Sequence, residues 1–303
     1  MNNGKKIYFG ITVDPLHIGS GGYRLGRVDN TIVRDPGTDI PKVPGSSISG
    51  VCRNYAIYGL KDDDERKAAE DCAKEKDPKK KNNCGFCAIC RTFGFASGSD
   101  SKNQIGKVKF FDAGIVAFPV ATMAGPVWVT TASILKAAGS DVSGQEPGKE
   151  DLVVNFDLPG QGEGNTQRLN LGWLFLPCAK DDKWRLPDSV DADPAVTEIS
   201  RRLVLAPDWL FSEIVNSNLE VRTSVSIDFE TGAAESGKLF TYEAIPRATL
   251  LAFDVVIDEN RCTKEWRAEK VKEMVKSGMG LFEHLGIGGI NTRGFGRLKI
   301  VNL

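Results

Sequence analysis

The chain has 303 residues, of which 41% are hydrophobic, 26% charged and 8% aromatic. This is ordinary globular usage, and it excludes wholesale disorder, a coiled coil and a disulfide-stapled miniprotein. With 39 basic and 40 acidic residues the formal charge is −1, so an anionic partner must be gripped by a local patch and not by an overall basic field. The most apolar stretch, 114–129, is broken by Pro119, Gly125 and Pro126 and falls short of the ~20 residues a membrane span needs. The N-terminus lacks a secretory pattern, which predicts a cytoplasmic chain with reduced cysteines and no membrane partner.

Along the chain, KKIYFGITV (5–13) reads as a strand, followed by a Gly-rich turn over 19–22. A second extended piece, Val28 to Val33, leads through turn-rich residues to Gly45, where a helix is predicted to about Gly59 with Ser46 and Ser47 as caps. Residues 61–83 hold eight acids and eight Lys or Arg and read as an exposed helix ending at Pro78. Strands are predicted over 107–120 and a helix over 127–138. Gly, Pro and Asp dominate 138–193, which favours long loops over a packed layer. Short helices follow over 196–205 and 207–216, then a long hairpin over 221–245 and an apolar strand over 249–257. A helix over 265–285 and a Gly-rich return close the chain. The order predicts an α+β protein with a mainly antiparallel sheet.

Two segments suit phosphate. The loop 286–296 holds five glycines, Gly288 and Gly289 among them, with Arg293 inside it and Arg297 just after. Glycines let backbone amides approach an anion and arginines fork onto its oxygens, although a tight helix-to-strand connection would also use glycines. In PGSSISGVCRN, Ser46 and Ser47 stand at a helix start with Arg53 two turns on. Free amides, hydroxyls and the helix dipole favour an anion there, and an ordinary capped helix is the alternative.

Four of the seven cysteines, Cys72, Cys84, Cys87 and Cys90, lie within nineteen residues. Four thiolates at this spacing suit tetrahedral structural zinc, with Gly85 easing the turn. Arg91 and Thr92 follow where a ferredoxin-type cluster run would continue, which disfavours iron and sulfur. A zinc closed by four protein ligands keeps no open position for catalysis. Cys52, Cys178 and Cys262 read as plain buried residues.

Four segments, VDNTIVRDPGTDIPKVPGSSISGVCRN, FPVATMAGPVWV, VRTSVSIDFETGAAESGKLFTYEAIPR and GIGGINTRGFGRLKI, resemble in order the RAMP superfamily, specifically the repeated backbone subunit of type III CRISPR effector complexes. The second and third look most Cmr-like, and RDPGTDIPKVPGSS also looks Csm-like. The resemblance implies an RRM-like, ferredoxin-like core in one domain over 1–303. A zinc insertion (61–100), a loop-rich insertion (139–195) and a thumb-like hairpin (220–246) would elaborate it. It also implies assembly with guide RNA, target RNA, other type III subunits and neighbouring copies, and cleavage of the paired target.

Asp29 matches the family's catalytic aspartate. A loop carboxylate can position a divalent ion, Mg2+ or Mn2+, or help orient a ribose 2′-hydroxyl for attack on its own 3′-phosphate; a turn-capping Asp is the plain alternative, as for Asp35 and Asp39. His17, in LHIGSGG, is an RNA-contact and proton-carrier candidate beside a strand. Ser49 stands where many relatives carry Lys, leaving Arg53 most of the charge in that helix. The hairpin matches the thumb that parts a base pair, and its acidic tip leaves the wedge to Phe229, Leu239 and Phe240. Two rival functions are a non-catalytic filament subunit that only holds guide and target, and a guide-processing ribonuclease.

Overall fold

The computed structural model describes residues 4–21, 28–74, 85–95, 103–141, 144–158, 167–191 and 193–303. The first half runs β1 (Lys5–Thr12), α1 (Gly45–Tyr58), α2 (Asp63–Lys74), α3 (Ala88–Phe93), β2 (Gly94–Phe95), β3 (Gln104–Ile105), β4 (Val108–Phe110), β5 (Gly114–Thr122) and β6 (Gly125–Thr130). The middle comprises α4 (Ala132–Ala137), β7 (Leu152–Val154), β8 (Arg168–Leu171), β9 (Leu174–Lys180), α5 (Asp188–Asp191), α6 (Thr197–Arg201), β10 (Leu203–Leu205) and α7 (Asp208–Ser217). The last part holds β11 (Glu220–Ile227), β12 (Ala234–Ala244), β13 (Leu250–Ile257), α8 (Ala268–Gly280), α9 (Phe282–Leu285) and β14 (Leu298–Ile300).

Among the described residues, ten strands form one sheet in the order β14-β1-β13-β5-β6-β10-β7-β9-β8, with β4 also paired to β13. The pairs are antiparallel except β6 with β10 and β7 with β9, so the protein is α+β around a large mixed sheet. Side chains alternate across a strand, and both faces of this sheet are covered. Tyr8, Ile115, Phe253 and Val255 face one cluster with Ile48 and Cys52 of α1 and Val271, Val275 and Met279 of α8. Phe9, Ile11, Val116 and Trp128 face the other, with Leu135, Trp184 and Leu186. The hairpin β11-β12 forms its own two-stranded sheet. Val221, Val225 and Ile227 remain exposed on it, because an arm with solvent on both faces has no layer to bury them against.

Four expectations are corrected. Residues 127–130 are strand, not helix: the run Val127-Trp128-Val129-Thr130 is buried throughout and pairs antiparallel to β5 and parallel to β10. A fully buried strand shows no period-2 pattern, and only 132–137 turn helical. The region 138–193 is not simply looped, since β7, β8 and β9 extend the main sheet. Residues 203–205 likewise leave the predicted helix over 196–205 and enter the sheet as β10. At α1 the serines are not caps. Pro44 holds the N-cap position without a side-chain bond, and Asp112 Oδ1 accepts from Gly45 N at 2.8 Å from a neighbouring loop. Pro78 and Gly22, named above, lie outside the described residues.

Phe118 is fully buried on central β5, whereas Phe229 is fully exposed on the hairpin. Phe118→Ala should therefore cost about 3–5 kcal/mol of unfolding free energy in a denaturant titration. Phe229→Ala should stay within about 0.5 kcal/mol of the parent.

Candidate functional site

The segment 28–34 lies along the root of the hairpin. Asn30 bridges to Tyr242 in parallel register, with Asn30 N donating to Thr241 O at 3.0 Å and Glu243 N to Asn30 O at 3.0 Å. Beside this bridge Asp29 Oδ2 accepts from both the backbone N and the hydroxyl of Thr241, each at 2.8 Å. The Thr241 backbone bond first, and its hydroxyl second, hold the exposed Asp29 carboxyl below the usual aspartate range. Asp29 is thus a fixed, ionised carboxylate. Asp35, by contrast, is the turn residue expected, accepting from Gly37 N and Thr38 N at 3.0 and 3.1 Å.

Asp29, Asn30 and Thr31 line a cleft of about 380 Å³ whose other wall is His17, Gly19, Ser20 and Gly21. His17 is buried, and its Nδ1 lies 2.6 Å from the Glu243 carbonyl oxygen. A carbonyl only accepts, so Nδ1 carries the proton and Nε2 is the basic nitrogen of the neutral ring. Tyr242 meets the imidazole edge-on at 5.7 Å. A Cβ at Gly19 would lie 3.2 Å from Nε2, so the missing side chain leaves that nitrogen room.

The Gly-rich loop supports His17 from behind. Gly289 N donates to His17 O at 2.9 Å. Gly288 has φ +82°, and a Cβ there would lie 2.5 Å from the same oxygen, so the position demands glycine. Arg297 forks onto Asp14 at 2.5 and 3.1 Å, a bond that holds the Asp14 carboxyl below its usual range. Arg293 lies near Ser224 of the hairpin at 3.5 Å. Arg222, which sequence reasoning passed over, stacks on Phe295 at 4.9 Å and donates to Gly294 O at 3.3 Å. The Gly289 amide and the Arg297 fork therefore have partners within the protein, and Arg293 is the more open cation of this loop.

Two further residues escaped the sequence reading. Glu243 is a buried acid whose Oε1 takes Arg34 at 2.7 Å and whose Oε2 takes Ile32 N at 3.2 Å. Arg34 also donates to Asn216 Oδ1 of α7 at 3.1 Å and to Ile32 O at 3.2 Å. This pair fastens the Asp29 segment, β12 and α7 to one another. Both residues lie in the family-like segments quoted above, but their local sequences do not announce the pair.

At the start of α1, Ser46 is exposed and Ser47 half-buried. Arg53 turns away from them: its guanidinium donates to Gly94 O at 2.7 Å and to Cys90 Sγ at 3.7 Å. Phe229 and Phe240 are exposed on the hairpin, at its turn and on β12.

The sulfurs of Cys72, Cys87 and Cys90 lie within 4.8 Å of one another, with Cys72 and Cys90 3.5 Å apart. Thiolates held at ~2.3 Å around a tetrahedral zinc sit roughly 3.8 Å apart, so the described sulfurs fit such an ion. Cys84, the fourth expected ligand, lies outside the described residues. The Cys90 thiol is pushed far up by its bond to Cys87, by burial and by Cys72; sulfurs so crowded ionise only with a cation among them. Around Asp29 the fit differs. Among the described residues no other group of three His, Cys, Asp or Glu ligand atoms comes together, so the described residues offer no closed cage for a divalent ion there.

With this geometry in view, the RAMP superfamily model matches residues 11–299. The chain belongs to the RAMP superfamily. It is 28% identical over 300 residues to "CRISPR system Cmr endoribonuclease Cmr4" of Pyrococcus furiosus, covering 95% of this chain and 92% of that protein. A stretch of 97 residues is 35% identical to "CRISPR system Cms endoribonuclease Csm3" of Methanothermobacter thermautotrophicus, covering 32% and 31% of the two chains. Among solved structures, a chain of the type III-B Cmr-beta complex bound to cognate target RNA superposes with TM-score 0.63 at 16% identity, over 98% of this chain and 96% of that one. Oligomeric Cmr4 from Pyrococcus furiosus gives 0.59 at 21% identity, over 98% and 99%. The resemblance to type III backbone subunits read from the sequence is borne out. No helix among the described residues is long and apolar enough to cross a membrane.

Two measurements follow from the site. Thr241→Val removes the hydroxyl bond and keeps the backbone one, so the Asp29 carboxyl should titrate closer to the ordinary aspartate range in a carboxyl-resolved NMR titration; an unchanged midpoint would remove the hydroxyl as a cause. Arg34→Ala leaves the Glu243 carboxylate buried and unpaired, which should cost about 3–5 kcal/mol of stability in chemical denaturation.

Proposed function

We propose that this protein is a backbone subunit of a type III CRISPR effector complex. It would hold guide RNA and target RNA beside neighbouring copies and other type III subunits, and cut the paired target at the Asp29 cleft. The observation that carries the reading is that a fixed, ionised, exposed Asp29 and the imidazole of His17 line one cleft at the root of an exposed hairpin. The named activities of the Cmr4 and Csm3 relatives support it.

In this reading the ribose 2′-oxygen bonds to the adjacent phosphorus as the P–O5′ bond breaks, leaving a 2′,3′-cyclic phosphate and a 5′-hydroxyl. His17 Nε2 is placed to take the 2′-hydroxyl proton, its ring held in the right tautomer by the Glu243 carbonyl. The leaving 5′-oxygen takes its proton from solvent. Asp29 orients the nucleophile. A divalent ion, Mg2+ or Mn2+, held jointly by Asp29 and RNA oxygens would supply positive charge to the phosphate. The exposed start of α1 with Ser46 and Ser47, together with Arg293, offers phosphate contacts. The hairpin would act as the thumb, with Phe229 and Phe240 presented to the duplex. Cys72, Cys84, Cys87 and Cys90 hold a structural zinc in the insertion.

Asp29→Ala in the assembled complex should abolish cleavage of guide-complementary RNA at the sites this subunit governs, with guide and target binding retained. Affinity comes mostly from phosphate contacts, while the carboxylate acts on the transition state. Retained cleavage would move the site from Asp29 to another residue, with His17 first in line. Arg293→Ala should weaken RNA binding irrespective of base sequence and lower the salt slope by about one, read by filter binding between low and physiological salt.

A further inference from the structure

We infer that Arg53 is a positioning residue of the cysteine metal site: its guanidinium offsets the charge of the thiolates and fastens α1 to α3, so that metal retention depends on it. The inference rests on the reading of Cys72, Cys84, Cys87 and Cys90 as a zinc site, and goes beyond it by assigning a residue outside the cysteine run.

The geometry is specific. Arg53 projects from α1, and its two terminal nitrogens divide between the Gly94 carbonyl at 2.7 Å and the Cys90 sulfur at 3.7 Å. These acceptors mark the middle of α3 and the residue just beyond it, so one planar fork spans the end of the helix that carries Cys90 and is capped by Cys87. Cys90 has no exposed surface. Its sulfur also lies close to those of Cys72 and Cys87, and the Cys90 backbone N–H donates to Cys87 Sγ at 3.5 Å.

Charge explains why a cation belongs there. Four thiolates around Zn²⁺ leave a net charge of two negative units, and a buried net charge is unfavourable unless a partner meets it. Arg91, the cation carried by α3 itself, is turned elsewhere: it lies 3.9 Å from Glu265 and 5.8 Å from the Trp266 ring. Arg53 supplies the positive charge from the opposite helix. Groups that bond to metal ligands from outside commonly alter metal affinity by about 10- to 100-fold.

The same geometry withdraws Arg53 from the phosphate contacts expected of it, because the two nitrogens that would fork onto a phosphate already have acceptors. It also gives the insertion a task. α3 and the Arg53 fork brace α1 from the side, two turns from the Ser46 and Ser47 end that faces solvent, so a loaded site holds that end in place.

The test uses the full-length zinc-loaded chain in wild-type, Arg53→Ala, Arg53→Lys and Arg293→Ala forms. Elemental analysis gives zinc per chain, and a chromogenic chelator gives the rate of zinc loss. Arg53→Ala should lose zinc at least about 10-fold faster than wild type. Arg53→Lys, with a point charge and no fork, should fall between them, and Arg293→Ala should match wild type. RNA binding by zinc-saturated Arg53→Ala should keep the wild-type salt slope. Equal rates of zinc loss in wild type and both Arg53 variants would overturn this inference and leave the zinc site standing. A salt slope reduced by about one with unchanged zinc loss would return Arg53 to the phosphate contacts. A wild-type chain without zinc would overturn the metal reading, and this inference with it. Should Arg53→Ala fail to fold, as read by circular dichroism, the comparison of Arg53→Lys with wild type decides the matter.

Discussion

A buried carboxylate is tolerated only where a cation and hydrogen-bond donors meet it, and Glu243 is where this chain meets that condition. Arg34 takes one of its oxygens at 2.7 Å and the Ile32 amide takes the other at 3.2 Å. Because Arg34 also reaches Asn216 of α7, one pair determines how the loop carrying Asp29, the returning strand of the hairpin and a helix of the core sit together. Asp29 then needs only Thr241, two residues along the same strand, to be held ionised toward solvent.

His17 depends on that strand from the other side. The Glu243 backbone carbonyl orients the imidazole while the Glu243 side chain anchors the loop, so a single residue sets the geometry of both candidate groups. The Gly-rich return after α9 completes the arrangement. Its glycines approach the His17 backbone more closely than a side chain would allow, so the loop acts first as a support for His17. Arg297 and Asp14 lock the same turn by a forked ion pair. The RNA-facing chemistry proposed for this loop is thereby concentrated on Arg293, at the edge nearest the hairpin.

The cysteine cluster plays a comparable role for α1. This helix meets α8 through Cys52 and Gly278 on its inner face and meets α3 through Arg53. Its N-terminus is capped from outside by Asp112, which also pairs with Lys42 at 2.8 Å. Constraints along its length hold the exposed end of the helix without a cap from its own serines.

Where a feature depends on neighbours in sequence, the residues alone announced it. The alternation in 5–13 and 221–227, the apolar run 250–257, the helix over 45–58 and the cysteine spacing are all local patterns, and each corresponds to a β-strand, a helix or a sulfur cluster in the structure; Asp29 was singled out by the family resemblance, and it lines the cleft. Features set by partners far along the chain were not legible. Residues 127–130 became a strand because β5 and β10 flank them, and an apolar run buried on every side carries no period to distinguish strand from helix. Arg34 and Glu243 are 209 positions apart, and nothing in either local sequence names the other. Arg53 shows the limit most plainly: the sequence placed a cation on a helix near a phosphate-like site, but the direction in which it points was decided by the docking of α3. A side chain of that length can reach a sulfur or a solvent anion from the same Cα, and only the packed structure fixes which acceptor lies within reach.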